Sequence, residues 1–281
     1  MTYKTILLHL SDDDAAETRR AHAAALARRF DAKLVGLALA APAHPLTLAS
    51  PEAMGEVWAE ISAQSDERAD ALRTRFAEAM SAEGVRFEAR AARAPGLAAD
   101  AFALHARYAD LSVLASPAAA GSPAEREERD QAIRGALFES GRPVLLLPET
   151  GLPDGRAREA LIAWDGRKEA ARALRDALPL LADVEGAEVC TVETLFDDGP
   201  DNDGASLAAS EYLAAHGVPV DANTLNRSFG IASALSERAR ERGSDLLVMG
   251  GYGHSRLSEA IFGGVTETLL RESPIPIFMA H

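Results

Sequence analysis

Short apolar runs alternate with longer amphipathic stretches along the whole chain, and the alternation comes round twice in the same order. The runs at 6–10, 33–39, 85–90, 111–114 and 144–147 have strand character. They are brief, apolar or alternating, and bounded by polar or turn-forming residues. Between them, 14–30, 56–81, 96–107 and 124–139 carry helical spacing; Ala21, Ala24, Ala25, Leu26 and Ala27 mark the apolar side of the first. The stretch 40–53 has no period and holds Pro42, Pro45 and Pro51, so a surface excursion is expected there. After a turn-rich break the order restarts. Strands are expected at 161–164, 188–192, 219–223, 246–249 and 275–279. Helices are expected at 168–181, 205–215, 231–242 and 258–272, with a Gly/Asp/Asn/Pro loop at 197–204.

Strands that alternate with helices and are apolar throughout predict a parallel sheet covered on both faces. The repetition extends to particular residues. Tyr108-Ala109-Asp110-Leu111 is answered by Gly243-Ser244-Asp245-Leu246, and Glu139-Ser140 ahead of one last strand by Glu272-Ser273 ahead of the other. Two tandem units follow, 1–150 and 155–281, joined by the turn-forming stretch 149–155.

The halves differ where the fourth strand of each ends. In the second half Leu246-Leu247-Val248-Met249 runs into Gly250-Gly251-Tyr252-Gly253, and Gly263-Gly264 follows before a helix. Glycines at a strand-to-helix turn let backbone N–H groups approach an anion closely, because no Cβ intervenes. The spacing is neither the dinucleotide fingerprint nor a P-loop. In the first half the corresponding stretch, 117–123, has no glycine pair.

Gly250, Gly253 and Gly263, with two and then nine residues between them, resemble the signature of the universal stress protein family, in which Ser or Thr follows the third glycine. Gly264 stands in that place and keeps the N–H without the hydroxyl. The resemblance implies two tandem Rossmann-like domains of the adenine nucleotide alpha hydrolase type. Each would be an open five-stranded parallel sheet of order 3-2-1-4-5 with helices on both faces. It implies a site for ATP or another adenine nucleotide, with or without Mg²⁺, in the second half only. Asp165, at the end of that half's first strand, would meet the adenine or ribose end. Gly250, Gly253, Gly263, Gly264, Val265 and Thr266 would surround the phosphates, with His254 beside them. Each residue also has a plain reading: Asp165 as a helix cap or turn residue, the glycines as tight strand–helix packing, His254 and Arg256 as surface or interface groups.

The first half has Ser11 at the position of Asp165, followed by Asp12, Asp13 and Asp14. A Mg²⁺ site and an acidic first helical turn are the two readings of that run, the helix dipole favouring the second. The first unit is expected to be a degenerate domain that acts as a structural or interaction partner.

Composition narrows the function classes. The chain has 281 residues and a formal net charge of −14, which disfavours a duplex nucleic acid partner. Cys190 is the only cysteine, so neither an internal disulfide nor a cysteine zinc cluster is available, and its strand-like surroundings predict a buried thiol. The chain starts directly on a strand pattern and has no membrane-length apolar run, which points to the cytoplasm. No zincin motif, nucleophile elbow or His pair at helical spacing is present. The expectation is a stress-response regulatory protein, not an enzyme, binding a nucleotide in its second half. Two rivals stay open: an interaction module with a vestigial pocket, and a weak Mg²⁺-dependent ATP hydrolase. The last strands of the two halves are expected either to pair internally or to mediate a homodimer, and a regulatory protein partner is expected but unnamed.

Overall fold

The computed structural model describes residues 2–41, 51–94, 98–117, 123–149, 151–192, 202–225, 230–251 and 264–281. The first half contributes strands β1 (Thr5–His9), β2 (Lys33–Ala40), β3 (Phe87–Arg93), β4 (Leu111–Ala115) and β5 (Val144–Leu147). Between them lie helices α1 (Ala16–Phe30), α2 (Pro51–Glu83), α3 (Ala98–Ala106) and α4 (Pro123–Arg134). The second half repeats this with β6 (Glu159–Ala163), β7 (Gly186–Val192), β8 (Val220–Leu225), β9 (Leu246–Gly250) and β10 (Ile277–Ala280). Its helices are α5 (Lys168–Leu181), α6 (Asn202–Ala215), α7 (Ile231–Arg242) and α8 (Gly264–Glu272).

Each half is parallel, with strand order 3-2-1-4-5, as the family resemblance implied, and the two are joined into one ten-stranded sheet. The junction is antiparallel: Ile277 lies opposite Leu146, Phe278 opposite Leu145 and Met279 opposite Val144. Pro276 does not interrupt this seam. It precedes the paired residues, and its carbonyl accepts the Leu247 N–H at 2.9 Å. The last strands of the two halves thus pair internally.

Helices cover both faces, and each face has a core that runs through both halves. On one, Ala23, Ala24 and Leu26 of α1 and Phe76 and Met80 of α2 share a buried cluster with Ala173, Ala177 and Leu180 of α5 and Leu213 of α6. On the other, Phe102 of α3 and Ile133 of α4 are continuous with Leu235 of α7 and Leu269 and Leu270 of α8. Polar contacts stitch the halves together as well. The Tyr3 hydroxyl donates to the Asp176 carbonyl at 2.7 Å, and the Arg29 guanidinium donates to the carbonyls of Gly155, Pro179 and Leu180.

The recurring residues have recurring duties. Asp110 accepts the backbone N–H groups of Lys4 and Thr5 at 2.7 and 3.0 Å, and Asp245 accepts those of Arg158 and Glu159 at 3.0 and 3.1 Å. Each carboxylate thus holds the start of its half's first strand to the start of the fourth. Ser140 and Ser273 each end a helix by bonding to local backbone before the last strand. Asp245→Ala should cost about 1–2 kcal/mol, the loss of charge-assisted bonds to partly exposed N–H groups. Urea denaturation of the variant checks this.

Two elements depart from expectation. α2 is longer than 56–81, beginning at Pro51, where proline is tolerated because a first-turn N–H needs no partner. The helix expected over 124–139 divides into α4 and a π-helical turn, Gly135–Glu139. The change falls where α3 presses closest: a Cβ on Gly135 would lie 2.1 Å from the Ala99 carbonyl oxygen. Residues 42–50 of the expected excursion and most of the loop 197–204 lie outside the described residues.

Candidate functional site

Chain direction across the sheet reverses between β6 and β9, which pair side by side with Ala163 opposite Met249. A crevice beyond the strand ends at such a point is where open α/β sheets place ligands. Asp165 lies two residues past β6, and Gly250 and Gly251 end β9 beside it. Gly264, Val265 and Thr266 form the first turn of α8. Gly253, His254 and Gly263 lie outside the described residues, as does Arg256.

The described residues divide in character. Asp165 is exposed and accepts the Arg167 N–H at 3.1 Å, a turn contact at the entrance to α5. Gly250 is a packing glycine: a Cβ there would stand 2.5 Å from the Ala170 backbone nitrogen. The α5 backbone approaches β9 this closely because nothing projects from Gly250. Gly250→Ala should therefore cost roughly 1–3 kcal/mol whether or not a ligand binds. A lower thermal midpoint in ligand-free protein is the check. Gly264 is the opposite case, exposed, with none of the described residues within 4 Å of where its Cβ would lie. Val265 is partly buried against the α7/α8 face, and Thr266 is buried.

Sequence reasoning missed several supporting groups. The Trp164 indole N–H, at the end of β6, is buried and has no acceptor among the described residues. A buried donor without a partner is costly, and a ligand or water would relieve it. The Gly251 carbonyl lies 2.8 Å from His281 Nδ1, and the His281 ring meets Phe138 of the first half edge-on at 5.1 Å. The Leu137 side chain sits 2.9 Å from where a Gly251 Cβ would be. The first half therefore buttresses the glycine turn of the second. Such contacts depend on the antiparallel seam and leave no local pattern in the sequence.

At the equivalent place in the first half the crevice is filled by charge. Asp13 Oδ2 lies 2.7 Å from Arg19 Nη2 and 3.4 Å from Arg129 Nη2, and the Ser11 hydroxyl donates to Asp13 at 2.7 Å. Arg129 also donates to the Ser116 carbonyl, just past β4, at 2.9 Å. Burial alone would raise the Asp13 carboxyl, but the hydrogen bonds and charges of Arg19, Ser11 and Arg129 hold it down at about 2. Asp12 pairs with Arg68 at 2.6 Å. Among the described residues no group of three or more His, Cys, Asp or Glu is arranged to hold a metal ion. His9 is buried against Phe102, and burial pushes its imidazole down despite the Glu128 carboxylate 3.9 Å away.

Elsewhere, Cys190 is buried as expected, and burial first, then the neighbouring Glu188, pushes its thiol up to about 12. No described helix is long and apolar enough to cross a membrane.

Residues 157–281 match the model of the Universal stress protein family. The universal stress protein match is thus to the second half of the chain. A universal stress protein from Archaeoglobus fulgidus DSM 4304 has a similar structure over the whole length, with TM-score 0.72 and 17% identity. The likeness covers 98% of this chain and 95% of that one. A functionally unknown protein from Pseudomonas aeruginosa PAO1 is similar at TM-score 0.60 and 14% identity, over 99% and 92% of the two chains. At these identities the likeness concerns the fold. No curated protein matches the sequence. The family match falls on the half that carries the glycine signature, and the fold likeness extends through both.

Proposed function

We propose that this chain is a stress-response regulator that binds an adenine nucleotide in its second half, at the crevice between the ends of β6 and β9. One observation carries the reading: the two equivalent crevices differ. The first is closed by Asp13, Arg19 and Arg129, whereas the second has Asp165 exposed past the end of β6 and, among the described residues, an uncovered first residue on α8. A helix N-terminus with an unobstructed first residue favours anionic oxygens. The units 1–150 and 155–281 then divide the work, the first supporting and the second binding. Native mass spectrometry of freshly purified protein, followed by calorimetry with ATP, ADP and AMP with and without Mg²⁺, tests the proposal. Retained or saturable nucleotide supports it, and absence of binding under every condition overturns it.

A second reading has its own observation. Asp165 is engaged as a turn residue and Gly250 is required by the approach of α5, so both are explained without a ligand. The alternative is an interaction module with a vestigial pocket, and the same calorimetry separates the two.

A further inference from the structure

A cavity of about 300 Å³ opens in the first half, between α1 and α2 and over the end of β1. It adjoins the filled crevice and shares Ser11 and Arg19 with it, on the face where those two helices pack. Leu8, Leu10, Leu72 and Phe76 give it an apolar floor. Its walls carry both charges: Glu17 and Arg20 from α1, Arg75 and Glu78 from α2.

Each wall holds its two charges at i,i+3 spacing, where ion pairs commonly close. Arg73 and Asp70 do so on the same helix at 3.1 Å. Yet Glu17, Arg20, Arg75 and Glu78 form no ion pair within 4.0 Å among the described residues. Nor does the fold call for charge here. By strand register the second half repeats this position with Ala171 and Leu174 on α5 and Ala208 on α6, although Glu211 answers Glu78. Leu174 closes its wall as a buried residue.

We propose that this cavity binds a small apolar zwitterion, of the class of a free hydrophobic α-amino acid. The volume suits one side-chain-sized body on the apolar floor. A carboxylate would meet the guanidiniums of Arg20 and Arg75, which suit its planar shape. An ammonium would meet Glu17 and Glu78. A simple organic anion satisfies only half of this lining and is repelled by the other half.

The test uses the intact chain. L-phenylalanine is titrated by calorimetry beside 3-phenylpropionate, which lacks the ammonium, and 2-phenylethylamine, which lacks the carboxylate. Phenylalanine is expected to bind about tenfold or more tightly than either analogue. The pair Arg20→Ala with Arg75→Ala and the pair Glu17→Gln with Glu78→Gln should each weaken it by about the same factor. Ala79→Phe, at the cavity wall, should block binding with every charge kept. Unchanged melting temperatures confirm that the variants fold. Equal affinity for an analogue, affinity indifferent to all three changes, or no binding up to millimolar concentration overturns the proposal. None of these outcomes depends on nucleotide binding in the other half.

Discussion

Gly264→Ser is expected to raise the affinity of the second half for ATP by about ten- to hundredfold. The serine restores the hydroxyl that the family pattern carries after its third glycine. One hydrogen bond to a charged phosphate is worth roughly 1.5–3 kcal/mol. The fold can accept the change, because Gly264 is exposed and its Cβ would meet none of the described residues within 4 Å. Serine also suits the start of a helix better than the interior. The gain should be larger for ATP than for AMP if the hydroxyl addresses the outer phosphates. Gly264→Glu is the complementary change. It places a carboxylate at the same open position, so binding should be abolished while the melting temperature stays near that of the parent. Calorimetric titration of both variants with both nucleotides decides the matter. Indifference to serine and glutamate alike would remove α8 from the site and leave the interaction-module reading standing.

Much of this architecture was legible because it rests on local chemistry. Strand–helix alternation follows from short apolar runs between helical spacings, and the duplication was visible in Asp110 and Asp245. Those two aspartates recur because each half must tie the backbone N–H groups at the start of its first strand. The buried state of Cys190 followed from its strand-like neighbours. What escaped was non-local. The seam between β5 and β10 depends on two strands far apart in sequence, with Pro276 placed just ahead of the paired residues. The π-helical turn at Gly135–Glu139 depends on the approach of α3. At the candidate site Asp165 lies just past β6, Gly250 ends β9 and Gly264 starts α8. The motif did not show that Gly250 answers to α5, or that Leu137, Phe138 and His281 support Gly251.

The same limit explains the first half. Three adjacent aspartates read locally as a helix start or a cation site, whereas their partners, Arg68 and Arg129, come from other helices. This gives the second large prediction: Asp13→Ala should destabilise the protein by about 3–5 kcal/mol. Arg19 and Arg129 are 3% and 4% exposed, so losing the carboxylate leaves two buried guanidiniums facing each other, with the Glu125 carboxylate, 3.9 Å from Arg129, and the Ser11 hydroxyl offsetting only part of the charge. The parent should show the matching acid sensitivity. With its carboxyl at about 2 when folded, against 3.8 in the unfolded chain, Asp13 contributes stability that is full above about pH 4. That contribution, about 2 kcal/mol for this displacement, fades as the pH falls towards 2. Protonation costs less than deletion because a neutral carboxyl still accepts hydrogen bonds from the arginines. Urea denaturation of parent and Asp13→Ala at pH 7 and at pH 3 should therefore show a wide gap that narrows in acid. A gap of constant width would mean that Asp13 serves by shape alone, and that the first crevice is closed by packing and not by charge.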